Sequence, residues 1–178
     1  MTRDRRATLL LTGILITAAI ALKWWYRNAT VDELSFVLRP VSALVSAITG
    51  AESSYDPVLG HLFPALGIRI DRSCSGINFL VIATICFALV ILRRPDAGCM
   101  RPLLALLACG GAYALTILVN AGRIVTMAWA KQGGLHLAPQ AHEAVGAFFF
   151  LGALLVAVLL LHRLLSAMPQ RPPINSTP

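Results

Sequence analysis

Four stretches of this 178-residue chain are apolar over roughly the 20 residues that a helix needs to cross a bilayer. The first runs from Ala7 to Leu22 and is followed by Lys23, Trp24, Trp25 and Tyr26. Such residues suit a membrane–water interface. The second runs from Ile77 to Leu92 and stops at Arg93 and Arg94. The third begins after Pro102, stays apolar to Val119, is interrupted by the polar patch Asn120–Arg123, and resumes to Ala130. The fourth runs from Ala144 to Leu161. A further segment, Leu34 to Ile48, is apolar on one face but contains Arg39-Pro40. It reads as an interfacial or re-entrant helix, with a fifth span as the alternative.

Composition agrees with lipid as the main solvent. Charged residues make up 13% and hydrophobic residues 57% of the chain, against about 25% charged in a soluble domain. The expected fold is an all-α integral membrane protein, a small polytopic bundle of about four transmembrane helices plus the interfacial or re-entrant helix. Residues 1–168 form one transmembrane domain, and the Pro-rich, polar tail 169–178 is expected to be disordered. The net charge of +7 does not point to nucleic acid, because the basic residues cluster beside the apolar runs rather than forming one stripe. The four cysteines show no C-x-x-C or metal-ligand spacing, so no metal, cofactor or disulfide framework is implied.

Lys and Arg in short flanking loops orient such a bundle. Arg3, Arg5 and Arg6 precede the first span, Arg93, Arg94 and Arg101 lie between the second and third, and Arg163 and Arg171 follow the fourth. With four spans all three segments fall on one side, expected to be cytoplasmic. The long loop 27–72 then lies outside. The first span has the basic start of a signal peptide, and Ala19-Ile20-Ala21 resembles a cleavage site, but Lys23 and the Trp pair follow at once, as in a retained anchor.

This topology brings three polar residues to one membrane depth. Cys74 precedes the second span, Arg123 lies near the outer end of the third, and His142 precedes the fourth. Ionisable groups at such depth usually face a protein interior or a wet cavity. A cation beside a thiol favours the nucleophilic thiolate. An imidazole can take the thiol proton and return it to a leaving amine, and a guanidinium can stabilise an oxyanion. Together they suit acyl transfer through a thioester. Each also has a plain structural reading: a small buried Cys, an Arg snorkelling to headgroups, an interfacial or capping His.

The local sequences carry a resemblance. Asp71-Arg72-Ser73-Cys74-Ser75-Gly76-Ile77-Asn78-Phe79-Leu80 resembles the nucleophile motif of the exosortase/archaeosortase family. Asn120-Ala121-Gly122-Arg123-Ile124 resembles its second motif, and His142, Glu143 and Gly146 its third. Leu38-Arg39-Pro40 to Thr49-Gly50 matches more loosely, and the whole covers Leu34 to Leu161. The chain is short beside many members and resembles compact subtypes such as exosortase K. The resemblance implies a membrane-embedded cysteine transpeptidase, with Cys74 as nucleophile, Arg123 as transition-state stabiliser and His142 as acid/base. It implies as substrates exported proteins with a C-terminal sorting signal of the PEP-CTERM kind (a short motif, a membrane helix and a basic cluster) and a lipid or surface acceptor. The implied location is the cytoplasmic membrane, with both termini cytoplasmic and the site facing outward.

Around these, Gly76 allows a tight turn into the second span. Asn78, one turn past Cys74, either touches the site or bonds a neighbouring helix. Asn120 precedes Arg123 by three and is placed to position it. Glu143 reads as a first-turn acid. Cys86 and Cys109 read as packing, Cys99 as a loop residue, His162 as interfacial, and His61 and His136 as outer-face residues without a motif. Two other functions fit the pattern. One is a non-catalytic scaffold or transporter subunit with a structural polar cluster, although no internal repeat or paired broken helices speak for a carrier. The other is a serine protease using Ser75 and His142.

Overall fold

The computed structural model describes residues 3–92, 101–134 and 139–167. The protein is an all-α polytopic membrane protein. Among the described residues, four helices are long and apolar enough to cross a bilayer: α1 (Arg3–Tyr26), α3 (Ile77–Leu92), α4 (Arg101–Gln132) and α5 (Pro139–Ala167). Between α1 and α3 lie the shorter α2 (Ser35–Thr49) and a three-stranded antiparallel sheet of β1 (Ser54–Asp56), β2 (Gly60–Phe63) and β3 (Ile68–Ile70). The sheet was not expected. Its strands span three or four residues and are bounded by Pro57, Gly60, Pro64 and Gly67, which leaves too little alternation to register as a strand pattern.

The polar patch in the third apolar run does not interrupt its helix. α4 continues through Asn120–Arg123 for 32 residues, about 48 Å at ~1.5 Å per residue, against a hydrocarbon layer of about 30 Å. Its ends therefore project beyond the lipid core. At the sheet end, Lys131 Nζ donates to the Gly67 carbonyl at 2.7 Å, tying the helix to the turn before β3. α5 likewise begins earlier than the apolar run, at Pro139, so His142 sits within its first turns rather than before it.

α2 is a 15-residue helix with Pro40 inside it, shorter than the spanning helices. Its buried Val37, Leu38, Val41, Ser42 and Val45 recur at helical spacing, so one face packs on the bundle. Proline has no N–H and so cannot bond the carbonyl four residues back, that of Phe36. The Tyr113 hydroxyl of α4 donates to that carbonyl at 2.5 Å. A side chain from another helix thus replaces the donor that Pro40 lacks, and α2 tolerates its proline.

α3 and α4 form the centre. Ala83, Ala88, Ala108 and Ala112 are buried, and Phe87 lies over Gly111, whose added Cβ would meet the ring at 3.5 Å. Small residues allow close helix approach where lipid supplies no hydrophobic drive. α1 and α5 keep most of their apolar surface exposed, including Leu10, Ile14 and Ile20 on α1 and Phe148, Leu151 and Leu155 on α5, as lipid-facing helices should. Cys86 and Cys109 are half-buried free thiols, in line with packing roles. Cys99, His136, Arg93, Arg94, Arg171 and the tail 169–178 lie outside the described residues.

Candidate functional site

Cys74 stands at the end of a single 3-10 turn, Arg72–Cys74, between β3 and α3. The turn is capped by Asp71, whose carboxylate accepts from the Ser73 amide at 2.9 Å and the Ser73 hydroxyl at 2.6 Å. Arg69 adds an ion pair to the same carboxylate at 3.0 Å. Burial raises the Asp71 pKa, but the Ser73 hydroxyl and amide and the Arg69 charge outweigh it and hold the carboxyl below its ordinary range. β3 and the cysteine turn are thus joined through one anion.

From this turn the chain enters α3 through Gly76, at φ +68°. A Cβ there would lie 3.2 Å from Thr116 Cγ2 and 3.4 Å from Asn120 Nδ2, so the position needs glycine both for its left-handed backbone and for its closeness to α4. The contact it permits is the main one of the site. Asn120, fully buried on α4, donates its amide to the main-chain carbonyl of Cys74. The flipped amide would set two acceptors against each other, so the orientation is fixed. The other end of the carboxamide, Oδ1, is buried without a partner among the described residues.

Arg123 lies three residues further along α4 and turns toward α5. Its guanidinium carbon sits 5.1 Å from the centre of the Phe150 ring, and that ring stacks on Phe79 of α3 at 4.8 Å. Gly146, one turn before Phe150, makes room: a Cβ there would come to 3.0 Å of Arg123 Nη1. Arg123, Gly146, Asn78, Gly76, Ser73 and Phe150 line one cleft of about 430 Å³ between α3, α4 and α5. Position 142 is four residues before Gly146 on α5, one helical turn away on the same face. The side chains of His142 and Glu143 lie outside the described residues.

Of the residues singled out from sequence, Gly76, Asn78, Asn120 and Arg123 therefore gather around the Cys74 turn. The thiol itself is half-buried and faces the sheet, with Sγ 4.0 Å from the Arg69 carbonyl oxygen and 3.8 Å from Ser73 Oγ. Ser75 is fully buried and its hydroxyl donates to Tyr26 Oη at 3.3 Å, which leaves it poorly placed as a nucleophile. Asn78 is exposed on the cleft wall.

Two residues of the site were not found from sequence. Tyr26, read only as part of an interfacial belt, donates its hydroxyl to the Arg72 carbonyl at 3.0 Å and pins the cysteine turn to α1. Phe150 lies in the apolar run of the fourth span with no motif to single it out, and the packing of α3, α4 and α5 makes it the platform for Arg123. No family model, curated protein or solved structure matches the chain.

Proposed function

We propose that the protein is a membrane-embedded cysteine transpeptidase of the exosortase kind, which cleaves C-terminal sorting signals of exported proteins through a thioester. The observation that carries the reading is the Asn120–Cys74 hydrogen bond. It holds the nucleophile turn against α4 one helical turn from Arg123, in a cleft that also takes in Gly146 of the third motif. Three sequence segments, each similar to a family motif, thus meet at one place.

In the proposed reaction the Cys74 thiolate attacks the scissile carbonyl. A carbon–sulfur bond forms and Arg123 stabilises the oxyanion. His142, charged by the thiol proton, passes it to the leaving amine as the carbon–nitrogen bond breaks. An amine of a lipid or surface acceptor, or water, then gives a proton to the now neutral His142 and attacks the thioester; the carbon–sulfur bond breaks and the thiolate is released. The proposed setting is the cytoplasmic membrane, with the termini cytoplasmic, as the basic flanks argue, and the site outward.

A second reading, a non-catalytic scaffold, draws on the orientation of the thiol, which faces β3 rather than the cleft. The two are separated by co-expressing a tagged exported protein that ends in a short motif, a membrane helix and a basic cluster with wild type, Cys74→Ala or Ser75→Ala, at matched membrane levels. Loss of processing with Cys74→Ala alone is the transpeptidase outcome. Processing that survives Cys74→Ala refutes it.

A further inference from the structure

Cys74 lies beside two hollows and opens into neither. The cleft that holds Arg123 and a groove of about 730 Å³ toward the β1–β2 turn share Tyr26 and Ser73 in their walls, while Cys74 lines neither of them. The main chain of the turn is tied down on both sides of the cysteine. The Cys74 amide donates to the Asp71 carbonyl at 2.9 Å, and the Ser75 amide donates to the Arg72 carbonyl at 3.1 Å. Asn120 holds the Cys74 carbonyl, and the Tyr26 hydroxyl holds that of Arg72. With the backbone fixed, the motion left to the thiol is rotation about χ1 between staggered positions.

The position it occupies is set by its neighbours. Burial alone would raise the Asp71 carboxyl, but Ser73 and Arg69 hold it below its ordinary range, so it is ionised and can only accept. The Ser73 hydroxyl has a single proton to give, and it goes to Asp71 Oδ1 at 2.6 Å. The 3.8 Å contact between Ser73 Oγ and Cys74 Sγ therefore has one direction, with the thiol donating to the serine oxygen. The other neighbour of the sulfur, the Arg69 carbonyl oxygen at 4.0 Å, is also an acceptor. The thiol is thus the last link of a one-way chain. Arg69 fixes Asp71, Asp71 takes the serine proton, and the serine oxygen takes the thiol proton.

We propose that Ser73 is a positioning residue that parks the Cys74 thiol against the sheet, and that the thiol reaches the Arg123 cleft by rotation about χ1 when this contact is released. Ser73 is itself exposed and forms part of the cleft wall. An occupant that reaches it competes for the serine oxygen and shifts the thiol from the parked to the cleft-facing population. The idle protein thereby keeps its sulfur away from Arg123, and an occupied cleft brings the two together. The use of this latch in catalysis rests on the transpeptidase reading, whereas the parked position does not.

The test reads the resting full chain in detergent, without substrate. Alkylation of Cys74 by iodoacetamide is timed by mass spectrometry of its peptide, with Cys86 and Cys109 followed as internal references. Ser73→Thr and Ser73→Val present similar bulk to the reagent and differ in the hydroxyl. Ser73→Thr is expected to keep the wild-type rate, and Ser73→Val to raise it about fivefold, the population shift that loss of one modest hydrogen bond gives. The S–H stretching band of Cys74 is isolated by subtracting the infrared spectrum of Cys74→Ala. It is expected at the position of a hydrogen-bonded thiol in wild type and nearer that of a free thiol in Ser73→Val. Equal alkylation of Cys74 in the two variants, or a wild-type band at the free-thiol position, overturns the proposal. If Cys86 and Cys109 speed up together with Cys74, Ser73→Val has loosened the fold and the wild-type band decides. Processing lost in Cys74→Ala beside equal alkylation would keep the transpeptidase and remove the latch. Processing that survives Cys74→Ala would remove the transpeptidase mechanism and leave a measured parked thiol standing.

Discussion

The carboxamide nitrogen of Asn120 donates to the main-chain carbonyl of Cys74, joining the middle of α4 to the turn that opens α3. The Asn120 end of the bond is fully buried and the Cys74 end half-buried, so its loss strips the carbonyl of its protein partner. Asn120→Ala is expected to cost about 1–3 kcal/mol. Asn120→Asp, which sets a carboxylate against the same carbonyl, should cost more. Thermal unfolding in detergent measures both, and wild-type stability in the two variants would show that the bond does not hold the turn.

Gly146→Ala separates site from fold. Alanine is the better helix former by about 1 kcal/mol, and its Cβ would meet only the flexible Arg123 side chain, at 3.0 Å from Nη1 and 3.5 Å from Cδ. Stability should therefore hold or rise. The displaced guanidinium should lower substrate processing about tenfold, since misplacement by an ångström is costly in a catalytic site. An unaltered processing rate would remove Arg123 from the proposed chemistry.

Tyr113 and Pro40 should be coupled. Tyr113→Phe removes the donor to the Phe36 carbonyl and is expected to cost about 0.5–1.5 kcal/mol. Pro40→Ala restores a backbone N–H four residues after Phe36, so the double variant should recover most of that loss. Additive effects in a double-mutant cycle would show that the two donors do not substitute for one another.

The sheet carries a pH-sensitive contact. His61 of β2 lies buried against Tyr55, ring centres 5.0 Å apart, with Nε2 unpartnered among the described residues. Burial, and then the nearby Arg39 charge, push its pKa below the ordinary 6.5. A lowered folded pKa means that the unfolded chain binds the proton more readily. The stabilising effect of neutral His61 is complete above pH 6.5 and is lost as pH falls through the lower folded value. Unfolding temperature should drop between pH 7 and 5 in wild type and drop less in His61→Gln; parallel profiles would contradict this.

The limits of the sequence are physical. The boundaries of α3, Ile77 to Leu92, were legible because a glycine turn and an arginine pair bracket an unbroken apolar run. The polar patch Asn120–Arg123 suggested a break in the third span because hydropathy cannot tell a helix end from a helix whose polar side chains are met by neighbours. Here Asn120 meets the Cys74 carbonyl and Arg123 meets Phe150. The common depth of Cys74 and Arg123 followed from topology, but depth does not fix lateral packing. The roles of Tyr26 and Phe150, and the thiol facing Arg69, depend on how α1, α3, α4 and α5 lie side by side.

The most direct measurement is capture of the covalent intermediate. The tagged sorting-signal protein is co-expressed with the chain, membranes are dissolved in denaturant, and the chain is resolved under non-reducing conditions with and without neutral hydroxylamine. The predicted result is a tagged adduct on wild type and Ser75→Ala that hydroxylamine releases, absent from Cys74→Ala. An adduct that persists in Cys74→Ala, or substrate cleavage in that variant at the wild-type level, would contradict a thioester at Cys74.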